Sequence, residues 1–305
     1  MVQKTPRAEP RQHLVFVVSS LQAGGAERVL STLANYWAAE KDGDVSIVLI
    51  GRGESFYSLH PKIRVYPCYL DNSSQNWVKG FYVNACRYFR LIKLIRQISP
   101  SVMISFMTNT NVLCILVAKT LGIAHIFSER TCYDTPLPGI WRKLRRWIYP
   151  WGGCLVTQTR ADEDRYPFVP AKTVIGNPAL WEPHQNLPIA QRAHVILAVS
   201  RLVESKDYPT LLHAFAQLKD RQDYILKIAG DGPERERFQD LARRLGIEKH
   251  VHWLGRCQDV KSLYQEARIF VLSSLREGFP NVLLEAMTMG CACIATKCHQ
   301  GFEEI

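Results

Sequence analysis

The sequence predicts an α/β protein built from two Rossmann-like domains. Three observations carry that prediction. The chain has 305 residues, enough for two domains of ordinary size. Short apolar runs that end in polar or Gly-containing loops alternate with helical patterns, both before and after residue 185. The composition, 47% hydrophobic and 22% charged, supplies material for sizeable cores. No run of 18 apolar residues is present that would cross a membrane as a helix. Nine cysteines occur without a C-x-x-C pair, several of them in strand-like segments. That usage points to buried free thiols in a reducing compartment rather than to disulfides or a metal centre.

Met1 to Gln12 is polar, carries two prolines and reads as a disordered tail, not a secretory signal. Leu14 to Val18 is apolar throughout, as a strand buried on both faces must be. It runs into a turn around Gly24 and Gly25 and then a helix over Val29 to Ala39, the opening of a doubly wound domain. The turn is not G-x-G-x-x-G, so no dinucleotide site is indicated. Strands follow at Val45 to Ile50 and Ile63 to Tyr66. Trp77 to Ile98 is a long helix: Trp77, Phe81, Tyr88, Leu91, Ile92, Ile95 and Ile98 recur at mostly helical spacing among five basic residues. Val102 to Phe106 and Ala124 to Phe127 are strands joined by a helix over Asn111 to Leu121. Ser128-Glu129-Arg130-Thr131 closes the second, and a proline-bearing loop leads to Trp141-Arg142-Lys143-Leu144-Arg145-Arg146-Trp147. Cys154 to Thr157 is a strand and Arg160 to Tyr166 a short polar helix. Asp162-Glu163-Asp164 spells D-x-D, but its charged helical setting reads as a solvated face. Asn177-Pro178 breaks the chain after Val174-Ile175. The domains are placed at 13–180 and 194–305, with a linker over 181–193.

The second half repeats the scheme. Val195 to Val199 is a strand that ends at Ser200-Arg201, and Lys206 precedes a helix over Tyr208 to Leu218. Two cations beside a helix N-terminus can clamp a diphosphate. Ile225 to Ala229 ends in Gly230-Asp231-Gly232-Pro233, whose glycines let a ligand approach the backbone. The helix Glu234 to Leu245, capped by Gly246, leads to the strand and turn Val251 to Arg256, with Gly255 at the bend. Val260 to Ala267 is a helix and Ile269 to Leu272 a strand. Then come two carboxylates, Glu277 and Glu285, with Gly278, Phe279, Pro280, Asn281 and Val282 between them. Glu277 falls in the strand-to-helix loop and Glu285 about one and a half turns into the helix. Carboxylates suit sugar hydroxyls, and free amides around Gly278 to Asn281 suit a phosphate. Together they read as a nucleotide-sugar site at the carboxyl end of a parallel sheet.

Charge is unevenly placed. Residues 1–180 carry 22 Lys+Arg against 12 Asp+Glu, whereas 181–305 carry 16 of each, so the whole excess of +10 lies in the first half. Such asymmetry points to an anionic partner. No nucleic-acid motif accompanies it, so nucleic acid is set aside. The basic amphipathic helix from Trp77 and the Trp141 to Trp147 cluster both suit an anionic membrane surface. They equally suit helices that pack an apolar stripe on the sheet and solvate their arginines.

The stretch Glu277 to Glu285 resembles the E-x7-E signature of glycosyltransferase family 4, retaining enzymes of the GT-B fold, in which two Rossmann-like domains face a cleft. The likeness runs from Leu14 to Ile305. Arg201 and Lys206 match the family's R-x4-K, and Gly24, Gly25 and Glu27 match its Gly-Gly-Ala-Glu segment. The resemblance implies that Glu277 holds the donor sugar and Glu285 the ribose, that Arg201 and Lys206 bind the diphosphate, and that the loops at Gly230-Asp231 and Gly255-Arg256 border the nucleoside. Arg130 stands where many members have His, so hydrogen-bond donation or charge offset is expected there and no general base. It further implies a UDP-sugar donor, a glycan or lipid-linked acceptor held by the basic first domain, and work in the cytoplasm at the inner membrane face. By the same resemblance the leaving diphosphate is expected to help deprotonate the acceptor hydroxyl, with no metal or other cofactor required. Members continue past the strand Ala292 to Ala295, so the second domain is expected to be incomplete, and a silent nucleotide-sugar-binding or scaffold protein is the alternative.

Overall fold

The computed structural model of the chain describes residues 12–22, 24–40, 43–51, 53–68, 77–179, 181, 187–219, 221–298 and 302–304, with backbone alone at 77–82, 221 and 302. The expected tail up to residue 11 and the linker residues 182–186 lie outside these. The chain divides into two compact units, Met1–Gly176 and Asn177–Ile305.

Unit one runs β1 (His13–Val18), α1 (Gly25–Glu40), β2 (Asp44–Leu49), β3 (Arg64–Pro67), α2 (Trp77–Ile98), β4 (Val102–Phe106), α3 (Thr108–Leu121), β5 (Ala124–Ser128), α4 (Gly139–Ile148), β6 (Cys154–Thr157), α5 (Arg160–Glu163) and β7 (Lys172–Val174). Its strands form one parallel sheet in the order β3-β2-β1-β4-β5-β6-β7. Unit two runs β8 (Ala193–Val199), α6 (Tyr208–Ala216), β9 (Ile225–Ala229), α7 (Arg235–Arg244), β10 (Val251–Gly255), α8 (Val260–Glu266), β11 (Ala267–Leu272), α9 (Asn281–Thr288) and β12 (Ala292–Ala295). Its sheet is also parallel, in the order β10-β9-β8-β11-β12. In each unit the order reverses beside the first strand, between β1 and β4 and between β8 and β11. Loops leaving those neighbours turn to opposite faces, which opens a crevice at the carboxyl end of the sheet.

Period-two alternation feeds a core on each face of each sheet. Along β1, Val15 and Val17 pack with Leu91, Ile95 and Val117 of α2 and α3, while Leu14, Phe16 and Val18 pack with Leu30, Ala34 and Ala38 of α1. Along β8, Ile196 and Ala198 face Leu212, Phe215 and Phe238, while Val195 and Leu197 face Tyr264, Leu283 and Ala286. The edge strands are short, β3 largely exposed and β7 half-buried.

Some boundaries differ from the sequence expectation, each for a local reason. The helix expected from Asn111 starts at Thr108, because Met107 takes φ 76° and donates its N–H to Ser128 O at 3.1 Å. Strand turns directly into helix there, with a non-glycine residue in a sparsely populated region. The segment expected to be helical to Tyr166 keeps one turn, closed by Arg165 N–H to Asp162 O and Tyr166 N–H to Glu163 O before Pro167. Asp162 is not on a solvated face: its carboxylate is buried and accepts from Thr159 Oγ1 at 3.2 Å and the Tyr133 N–H at 3.5 Å. Gly246 ends α7 as expected, at φ +63°, with its N–H on Arg243 O and that of Ile247 on Ala242 O. Arg192, assigned to the linker by sequence, is buried in unit two. Its guanidinium donates to the carbonyls of Leu187, Tyr264, Ala267 and Met289, stapling the start of β8 to α8 and the end of α9.

The middle of the first sheet carries a buried histidine. His125 shares a hydrogen bond of 2.9 Å with Ser105 Oγ, and its ring stacks on Phe127. Burial lowers the imidazole from 6.5 to about 3. The unfolded chain therefore takes up a proton near pH 6.5 that the native chain refuses until about pH 3. His125 supports the fold fully above 6.5, and that support is lost as the pH falls toward 3. Each pH unit below 6.5 should cost about 1.4 kcal/mol. His125→Phe keeps a ring over Phe127 and leaves Ser105 donating to Asn111. Urea unfolding between about pH 7 and pH 5 should show that slope in the parent chain and its loss in the variant. An unchanged slope would assign the acid sensitivity to other groups.

Candidate active site

At the reversal point of unit two, the loops after β8 and β11 are zipped together. Leu275 N–H donates to Ser205 O at 2.9 Å, and Ser273 Oγ to Lys206 O at 2.8 Å. These bonds bring two predicted residues, 71 positions apart, into contact: Lys206 Nζ lies 2.5 Å from Glu277 Oε1. The same oxygen accepts from Ser274 Oγ at 2.6 Å. The pair is mostly buried, with the Lys206 side chain 19% and the Glu277 side chain 12% exposed. Lys206 closes a 3-10 turn, and Asp207 follows at φ 47° as the cap of α6, accepting from Thr210. Arg201 stands exposed at the end of β8. A charged carboxylate and two cations thus share the carboxyl end of one sheet.

The stretch after Glu277 enters α9 at Asn281, with Pro280 as its capping residue. Asn281 N–H is spent on Phe279 O, and Leu283 N–H on Pro280 O, each at 2.9 Å. Asn281 therefore does not join the free amides expected around Gly278, while Val282 sits in the first turn of the helix. Asn281 Oδ1 accepts from Asn177 Nδ2 at 2.5 Å. Glu285, expected at the ribose, is 2% exposed and accepts from Tyr264 OH at 2.9 Å, so here it anchors α9 on α8. The glycines after β9 serve the chain's own backbone. At Gly230, φ is +146°, and a Cβ there would overlap Ser200 O; one on Gly232 would overlap Leu202 O. The close approach expected of a ligand is made by the loop after β8. Asp231 accepts from Gly232 N–H at 3.0 Å and pairs with Arg235. Gly255 turns at φ +67° and accepts from Gly230 N–H at 2.7 Å, and Arg256 beside it is exposed. Cys298, which sequence reading passed over, lies close enough that Glu277 reinforces the rise burial causes in its thiol pKa.

In unit one the predicted residues also fall at strand ends. Gly24 precedes α1 and Gly25 begins it, with Gly24 O accepting from Arg28 N–H and Tyr57 OH. Glu27 accepts from Ser20 Oγ at 2.9 Å. Arg130 follows β5, with its guanidinium carbon 4.9 Å from the Phe106 ring centre. Burial lowers its pKa to about 10, which leaves it charged at neutral pH. Beside it lies a group to which sequence reading gave no role, the buried carboxylate of Glu129. A charge that ends the apolar strand Ala124 to Ser128 was the available signal. The α4 cluster divides between two faces. Arg145 is 4% exposed, with its guanidinium carbon 3.9 Å from the Tyr133 ring centre, whereas Arg142, Lys143, Arg146 and Trp147 point to solvent.

Comparison with known proteins agrees with this architecture. The Glycosyl transferases group 1 family matches residues 181–305. The chain is 32% identical, over 95% of its length and 80% of the relative's, to a GalNAc-alpha-(1->4)-GalNAc-alpha-(1->3)-diNAcBac-PP-undecaprenol alpha-1,4-N-acetyl-D-galactosaminyltransferase of Campylobacter jejuni. It is 24% identical, over 96% of its length and 82% of the relative's, to an amylovoran biosynthesis glycosyltransferase of Erwinia amylovora. Among solved structures, the apo lipopolysaccharide outer core galactosyltransferase WaaB superposes with a TM-score of 0.72 at 20% identity, covering 96% of this chain and 82% of that one. HepE of Anabaena, in complex with UDP and glucose, gives 0.75 at 16% identity, covering 97% and 83%. Two parallel, doubly wound sheets are the GT-B fold of these structures, and the chain belongs to the group 1 glycosyl transferases.

Proposed function

We propose that the chain moves a sugar, an N-acetylhexosamine or hexose, from a UDP-activated donor to a glycan carried on a lipid diphosphate, with retention of configuration. The Lys206–Glu277 pair at the crevice of unit two carries this reading. An ammonium retains donors beyond the one given to Glu277, so Lys206 can meet a phosphate oxygen without releasing its carboxylate. Arg201 adds charge and the Val282 N–H in the first turn of α9 an amide donor, so the diphosphate is offset by the chain itself and no metal is needed. Glu277 then accepts from donor-sugar hydroxyls, and Glu285 steadies the helix behind it. In the reaction the bond from the anomeric carbon to the diphosphate oxygen breaks. The acceptor oxygen bonds that carbon on the same face, and its proton passes to the departing diphosphate. The cations favour the charge as it develops on the leaving group. The acceptor falls to unit one, where Gly24, Gly25 and Arg130 line the strand ends. The name of the Campylobacter relative, an N-acetylgalactosaminyltransferase of a PP-undecaprenol-linked glycan, supports the sugar and the acceptor class, and that of the Erwinia relative supports glycan synthesis.

With a lipid-linked acceptor, the reading puts the work at a membrane, and we take this to be the inner face of the cytoplasmic membrane. Among the described residues no helix is long and apolar enough to cross a membrane. Instead α2, α3 and α4 together carry ten Lys and Arg and not one Asp or Glu. Trp147 on α4 is 68% exposed, and Trp151 just beyond it 53%. Exposed indoles among cations suit an anionic interface.

Thermal unfolding with UDP, GDP and ADP, with and without EDTA, tests the donor reading. UDP at about a hundred times its Kd should raise stability by roughly 2.7 kcal/mol, in EDTA as well. Lys206→Ala should weaken UDP binding by about tenfold or more and uridine binding little, while Glu277→Gln should abolish transfer and spare UDP. Equal loss of UDP and uridine in Lys206→Ala would make the pair structural only. For the membrane, reversing Arg142, Lys143 and Arg146 to Glu should lower co-sedimentation with vesicles containing phosphatidylglycerol by at least tenfold, at about 1 kcal/mol per charge. Unchanged co-sedimentation would leave α4 as a solvated face.

A further inference from the structure

Glu129 is buried at the carboxyl end of β5, immediately before Arg130. Donors from two other segments converge on its carboxylate. Thr108 Oγ1, in the first turn of α3, lies 3.0 and 3.1 Å from its two oxygens. Asn111 Nδ2, one turn on, lies 3.4 Å from Oε1 and also holds Ser128 O at 3.0 Å. Tyr149 OH, just past α4, donates to Oε1. Arg145 of α4 supplies the counter-charge. Burial raises the Glu129 pKa, and the bonds to Tyr149, Thr108 and Asn111 oppose the rise. The chain leaves the sheet at Arg130, runs through the loop and α4, and returns at Tyr149. Glu129 therefore ties the end of that excursion to its beginning. The loop is held again farther out, where Tyr133 lies beside Arg145 and Asp134 pairs with Arg165. Met107, at φ 76°, joins the same cluster through its N–H on Ser128 O and its carbonyl, which accepts from Asn111 N–H. A buried carboxylate is a poor device for stability alone, because apolar residues of similar volume hold a core at least as well.

We infer that Glu129 is a positioning residue, which fixes Arg130 and the loop behind it for sugar transfer by clamping β5 to α3 and Tyr149. The inference rests on the transferase reading only through the role of Arg130. Glu129→Gln keeps the shape and loses the charge, and Tyr149→Phe removes one donor. Hydrogen–deuterium exchange reads the clamp without any substrate. Both variants should speed exchange over residues 130–138 by about tenfold and leave unit two and β1 to β4 unchanged. Exchange that is unchanged, or faster across all of unit one, would overturn the inference whether or not the chain is a transferase. The second readout is transfer from UDP-GalNAc to a polyprenyl-diphosphate-linked GalNAc acceptor. Glu129→Gln should lower kcat about tenfold with the donor KM within twofold, and should cost less than twofold more when Arg130 is already Ala. The same tenfold loss in both backgrounds would show that Glu129 does not act through Arg130 and would overturn it. Parent chain without transfer would count against the transferase reading alone, and the exchange result would still decide the clamp.

Discussion

Parallel strands buried on both faces leave no room for polar chemistry along their length. Every side chain of β1 from Leu14 to Val18 is inside. Function must therefore sit where the strands stop, and in parallel sheets all strands stop on the same side. The reversal of strand order between β8 and β11 then selects one place on that side in unit two. The two loops that meet there bear Arg201 and Lys206 on one flank and Glu277 on the other. The location of the candidate site follows from burial and topology before any side chain is considered.

The Lys206–Glu277 pair makes sense in that setting. Desolvating an ammonium and a carboxylate costs about as much as their attraction returns, so such a pair adds little to stability. Its worth lies in order. Two loops that would otherwise move independently are fixed against each other with a cation and an anion facing the crevice. On the proposed reading, a phosphate and a sugar hydroxyl would meet those two charges side by side, and binding would find a site with little left to arrange.

Legibility in the sequence followed distance along the chain. Strands and helices came from local periodicity, and Glu277, Lys206 and Arg201 from short spacings beside strand ends. What escaped was pairing across the chain. Arg192 looked like linker because, besides Leu187, its acceptors Tyr264, Ala267 and Met289 lie 72, 75 and 97 positions away. Asp162 looked solvated because its partner Tyr133 sits on another loop. The glycines at 230 and 232 read as room for a ligand beside the backbone, and spacing could not say that the backbone of Ser200 and Leu202 fills that room. Glu285 satisfied the motif, and only the packing of α8 showed where its carboxylate goes.

The basic excess of unit one also divides when the packing is known. In α4 it serves two purposes at once. Arg142, Lys143 and Arg146 face water beside Trp147, whereas Arg145, one residue from Arg146, turns inward to Tyr133 and the Glu129 carboxylate. Both sets of side chains leave the same ten-residue helix, so a contact on its outer side bears on its inner side through one short rigid element. A surface that captured the outer cations and indole would steady Arg145, and with it the clamp that ends β5. The segment next to Arg130 is therefore linked to the exposed basic face of α4 through side chains that sequence alone counts as one undivided cluster.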